Sequence, residues 1–174
     1  VTEAEVKTAS GFIYYVDQVV GPMPSIEEYF RQNLDTYGLY YDIAQRFQDY
    51  SIEPSGQRVD NVIRYRKTYG TELENFAEEA GPEPGEPRNF KGIWSIYVPT
   101  NDALQEYLDN TIFKYYDSID SVPKITLTYI LQTHISRSLG LLSKIEQSFF
   151  NYYGDPTDMS REDIVSGYMC SNGP

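Results

Sequence analysis

One cysteine, one histidine and an excess of carboxylates are the groups in this chain that could carry covalent or acid–base chemistry. Cys170, His134 and Asp163 supply in principle a thiol nucleophile, its base and the acid that orients the base. Enzymes that use such a set carry local sequence signatures around it, and none surrounds these three residues. His134 falls on the apolar face of a helical pattern, where an imidazole held by a backbone hydrogen bond is the expected state. Paired carboxylates could cleave a glycosidic bond, but Asp and Glu number 26 and spacing selects no pair. "DPTDMSRED", residues 155–163, loosely resembles a calcium loop, yet it lacks the central glycine and the ligand spacing, so Ser160 and Asp163 read as a helix cap. The expectation is a noncatalytic protein with no metal and no cofactor. An enzyme would instead show a concave pocket gathering His134 or paired carboxylates of shifted pKa.

Tyrosine is the other conspicuous residue type, with 17 in 174 residues and several as neighbours: Tyr14-Tyr15, Tyr40-Tyr41, Tyr115-Tyr116 and Tyr152-Tyr153. Neighbours point to opposite faces of a strand and diverge by about 100° on a helix, so one of each pair is free to be surface. Exposed tyrosine rings suit protein or sugar contacts. Tyr115, Tyr116, Tyr152 and Tyr153 are therefore the candidate binding residues, a platform on which sugar rings would stack while acids bond the hydroxyls.

Charge narrows the partners. Lys and Arg number 14 against 26 acids, and the net charge of −12 repels phosphate backbones and anionic headgroups, so no nucleic acid is expected. With 40% hydrophobic and 23% charged residues the composition is that of an ordinary folded domain. The lone Cys170 excludes an internal disulfide and leaves the redox compartment open. No apolar run has the length of a membrane span, and the polar opening "VTEAEVKTAS" is unlike a signal peptide. The expectation is a mature or excised soluble portion without membrane insertion.

The elements that must position these residues follow from periodicity. "GFIYYVDQVV", residues 11–20, reads as a strand closed by Gly21-Pro22. Ser25 and Glu28 have capping-box spacing for a short helix, and Leu39, Tyr40, Ile43, Ala44 and Phe47 form the stripe of a helix over about 36–49. "QRVDNVIRYRKTY" alternates as a half-exposed strand whose basic side chains guard an edge, while the acidic, Pro/Gly-rich stretch at 71–87 is an excursion from the fold. "IWSIYV" is a buried strand stopped by Pro99, after which Thr100 or Asn101 caps a helix and Asp102 adds a carboxylate at its positive end. Leu104, Tyr107, Leu108, Ile112 and Tyr115 give that helix its inward stripe. After Pro123 comes the strongest helical pattern, with Leu127, Ile130, Leu131 and His134 on one face and Gly140 dividing it. A cap at Ser160, a short turn, a brief strand and a Ser-Asn-Gly turn close the chain.

Taken together, "SIYVPTNDAL", "ITLTYILQTHI" and "GFIYYVDQVV" resemble the fasciclin-like adhesion domain. Val98 through Ala103 match its Pro-Thr-Asn motif, and His134 matches the histidine that ends its Leu-rich helix, with Thr133 where Tyr is usual. Gly11 to Asp17 follow its last-strand pattern, Ser10-Gly11 standing for Asn-Gly and Tyr15 for His, but at the beginning of the chain. "CSNGP" at the end looks like the same Asn-Gly turn a second time. The resemblance implies an α+β fasciclin-like fold, a β-sandwich or wedge of short strands with helices packed against it, in which Pro99, Thr100, Asn101, Asp102, His134, Gly11 and Asp17 are structural. It implies a domain over 25–174, with residues 1–24 either the last strand of a preceding unit or a permuted strand completing this one. It further implies an extracellular or cell-surface module that adheres through protein contacts, with a carbohydrate-binding module as the alternative, and neighbouring fasciclin-like domains in the parent chain. The acidic, tyrosine-rich style resembles a bacterial surface lipoprotein of the Bacteroidetes type, lipid-anchored through another part.

Overall fold

The computed structural model describes residues 5–19, 21, 23–52, 65–69, 95–136, 140 and 150–171. These form four α-helices and three two-stranded antiparallel sheets, an α+β arrangement. The excursion at 71–87, the strand positions 57–64 and 93–94, and the Asn172-Gly173 turn lie outside the described residues.

β1 (Glu5–Lys7) and β2 (Phe12–Tyr14) pair as a hairpin through a turn in which Thr8 donates its backbone N–H to the Gly11 carbonyl at 2.8 Å. The expected strand over 11–20 is thus shorter. Phe12, Ile13, Tyr14, Tyr15 and Val16 are each 50% to 71% exposed, and Asp17 is exposed in the bend that follows.

α1 (Ile26–Gln32) begins with the expected box: the Glu28 amide donates to Ser25 Oγ at 3.2 Å, and the Ser25 amide donates to Glu28 Oε2 at 3.0 Å. α2 (Leu34–Gln45) ends sooner than its stripe implies, and Phe47 is buried from the turn beyond it. β3 (Gln48–Ile52) pairs with β4 (Tyr65–Tyr69). Lys67 on β4 does more than guard an edge: its ammonium pairs with the carboxylate of Glu27, a residue only 3% exposed. Glu27 Oε1 also accepts from the Tyr69 hydroxyl at 3.0 Å, so this cluster ties the β3–β4 hairpin to α1.

β5 (Ser95–Ile96) runs into Pro99, whose missing N–H ends the ladder. Thr100 is the N-cap of α3 (Asn101–Tyr107), accepting from the Ala103 amide at 3.4 Å. α3 passes into a π-turn over Leu108–Ile112, where the Phe113 amide donates to the Leu108 carbonyl at 2.8 Å. That wider turn slips the helical phase by one position. Leu104, Leu108 and Ile112 are buried as expected, but Tyr115 is 81% exposed and Tyr116 packs on the core in its place.

α4 (Lys124–Thr133) ends at His134, well before Gly140, because Ile135 and Ser136 turn into β6 (Ile135–Ser136) and pair with β5. The core lies among the helices, centred on Tyr40, Ile43, Leu104, Leu108 and Leu131. Among the described residues no helix is long and apolar enough to cross a membrane.

Candidate functional site

The hinge after β5 is built into the fold. The Asn101 side chain leaves the first turn of α3 and docks on α2: its Oδ1 accepts from the Leu39 amide at 2.8 Å, and its Nδ2 donates to the Asp35 carbonyl at 2.9 Å. Those two backbone groups are one i to i+4 pair of the α-helix, so the carboxamide reads the ladder of α2 directly. A second donation from Nδ2 reaches the Leu34 carbonyl at 3.2 Å. Pro99 and Thr100 are half-buried, while Asp102 is exposed in the first turn, favourable to the helix dipole.

His134 is the C-cap residue of α4. Its Nδ1–H donates to the Ile130 carbonyl at 2.7 Å, which makes Nε2 the acceptor nitrogen of the ring, and the imidazole sits edge-on to Tyr40 at 5.9 Å. Burial holds its pKa below the ordinary value, partly opposed by that hydrogen bond. The imidazole is held by the backbone as the sequence led us to expect, but it is half-buried and borders a groove instead of being sealed in the core.

His134, Asp163 and Cys170 all reach one apolar groove of about 870 Å³. One wall is aromatic, from Tyr29, Phe30 and Tyr37. The facing wall is β5 and the hinge, touched without a break from Ser95 to Thr100. A strap of residues 163–170 closes one side. The strap is held where Tyr168 stacks on Tyr29 at 4.6 Å and where the Ser171 amide donates to the Pro24 carbonyl at 2.9 Å.

The chemistry of the three groups is not that of an activated thiol. Burial pushes the Cys170 thiol up to about 11, away from the thiolate that a nucleophile needs. Asp163 Oδ2 accepts from the Ser160 amide at 2.8 Å and from the Ser160 hydroxyl at 2.8 Å, the cap read in the sequence, and these bonds hold its carboxyl below the usual range. The proton on His134 Nδ1 points to Ile130. Among the described residues no group of three His, Cys, Asp or Glu side chains could hold a metal ion.

The four candidate tyrosines do not gather. Tyr115 stands in solvent beyond the π-turn, and Tyr116 packs on the core. Tyr152 and Tyr153 lie together, ring centroids 5.5 Å apart and nearly perpendicular, with Tyr152 packed on the core and the Tyr153 hydroxyl donating to Gln132. Tyr129, from α4, joins them at 5.3 Å from Tyr153. Tyr129 and the groove tyrosines 29, 37 and 168 were not singled out by the sequence, since nothing local marks a ring that meets its partners only in the folded chain.

Gly11 sits in the turn of the first hairpin and Asp17 just past it, away from the hinge and His134 among the described contacts. No protein-family model, no curated protein and no solved structure matches this chain.

Proposed function

We propose that this chain is a noncatalytic, fasciclin-like module of an extracellular or cell surface, acting in adhesion through protein contacts, within a parent chain that is lipid-anchored elsewhere. The observation that carries the reading is the β1–β2 hairpin. Phe12, Ile13, Tyr14, Tyr15 and Val16 are at least half exposed, and Val19 is 97% exposed, whereas the helices bury their apolar stripes. A run of exposed rings and branched side chains beside a well-buried core marks a contact surface between proteins. The hinge and His134 support the family reading, because both serve the architecture as the resemblance implies.

The test coats beads with the chain and measures their adhesion to cells and to matrix-protein surfaces. Wild type is expected to adhere, and a Phe12→Lys, Tyr14→Lys variant to lose most of that adhesion with its helical circular dichroism unchanged. Adhesion equal in both would overturn the reading.

The second reading, carbohydrate binding, draws on the Tyr129, Tyr152 and Tyr153 cluster, in which Tyr129 and Tyr153 keep exposed ring surface. A glycan array compares the chain with a Tyr152→Ala, Tyr153→Ala variant. Saturable binding lost in the variant supports it, and silence across the array removes it.

A further inference from the structure

We infer that the groove between the aromatic wall and the hinge binds a hydrophobic amine, its apolar body laid along the floor and its ammonium held at the mouth beside Asp163. At about 870 Å³ the groove has the size of a small-molecule site. Its lining is graded from dry to wet. Ile26, Phe30 and Cys170 are buried and give it an apolar floor, whereas Val165, Tyr168 and Met169 of the strap are exposed and form its rim. A molecule with one apolar end and one hydrated end fits that gradient, because the first leaves water on binding and the second keeps it.

The charge of the hydrated end follows from the groups around it. Asp163, exposed at the rim, is the one ionised side chain among the described residues that line the groove, and neither Lys nor Arg is among them. His134 adds no positive charge at neutral pH, since burial holds its imidazole below the ordinary range. The cap leaves half of the Asp163 carboxylate uncommitted: both bonds from Ser160 go to Oδ2, and none from the described residues reaches Oδ1. Three tyrosine rings line the same groove, the Tyr37 centroid 6.4 Å and the Tyr168 centroid 4.6 Å from that of Tyr29, and the negative face of such a ring attracts a cation. The net charge of −12 concentrates cations around the chain and repels carboxylates and phosphates. A long-chain acid is therefore disfavoured, and a long-chain alcohol gains the floor but neither the carboxylate nor the rings.

No residue of β1 or β2 lines the groove, so this site stands apart from the adhesive hairpin and either reading can fail alone. The test titrates decylamine, decanol and decanoate, one tail with three heads, into the whole chain by calorimetry at concentrations below micelle formation. Expected is one site per chain, with decylamine bound about tenfold or more tighter than decanoate and severalfold tighter than decanol. Asp163→Asn removes the charge and keeps an acceptor oxygen for Ser160, so it should bring decylamine to within about twofold of decanol with the Tm unchanged. Ala103→Trp, at an exposed lining position in the first turn of α3, fills part of the groove and should weaken all three ligands by about tenfold or more. The inference is overturned if none of the three binds saturably, if decanol or decanoate binds as tightly as decylamine, or if binding is indifferent to Ala103→Trp. A preference for the amine that survives Asp163→Asn overturns it too, since the attraction would then belong to the chain's overall field.

Discussion

Asn101 shows what one side chain adds when it replaces backbone. Its carboxamide bonds the Leu39 amide and the Asp35 carbonyl, and Ala at this position would remove both side-chain bonds between α3 and α2, leaving those groups only their places in the α2 ladder. Asn101→Ala is expected to cost about 1–3 kcal/mol in chemical denaturation while leaving bead adhesion by the folded protein intact. Adhesion lost without loss of stability would make the hinge a contact site. His134 gives a pH dependence that can be read cleanly, since the chain has one histidine. Its pKa is lowered on folding from 6.5, so the unfolded chain takes up the proton first, and stability falls as the pH drops below about 6.5. Above that pH the contribution is complete. His134→Gln should flatten the stability profile between the ordinary histidine and carboxylate ranges. The sequence placed this histidine on an apolar face and its state followed. It held no sign that Asn101 would reach α2, because a side chain's target lies in the tertiary fold.

At the scale of elements, caps and stripes were legible and terminations were less so. The Ser25–Glu28 box and the Ser160–Asp163 cap depend on residues three apart, so local spacing settles them. The end of α4 depends on β5 recruiting Ile135 and Ser136 from a distant part of the chain, which overrode a helical pattern that continued past them. The π-turn likewise has no local signature, and it moved Tyr115 outward and Tyr116 inward. Gly38 in α2 offers a check on how closely Asn101 fits. A Cβ there would sit 3.6 Å from Leu34 Cβ and 4.0 Å from Asn101 Nδ2, ordinary contact distances. Gly38→Ala is thus expected to raise stability by about 0.5–1 kcal/mol through helix propensity, measurable as a higher Tm. A lowered Tm would mean that the carboxamide needs the space. Gly140 is the opposite case, since a Cβ there would fall 1.9 Å from Tyr97 Oη, and its alanine variant should be less stable.

For the whole molecule, composition indicated only an ordinary folded domain, while the α+β arrangement was what the resemblance implied. The pairing of its strands and the gathering of Tyr29, Tyr37 and Tyr168 around a groove came from contacts between distant segments, and amphipathic periodicity carries no record of those. The acid excess of −12 acts at this scale too, as a field that repels other anionic surfaces, copies of the same chain included. Cys170 lies buried at the end of the strap, against the groove. Its thiol is the sole one in the chain and stays protonated while covered, so alkylation in the native state proceeds only as fast as the strap lifts. The protein therefore carries its own clock: the labelling half-life of a single sulfur times the opening of the groove, and anything that settles into that groove should make the clock run slow.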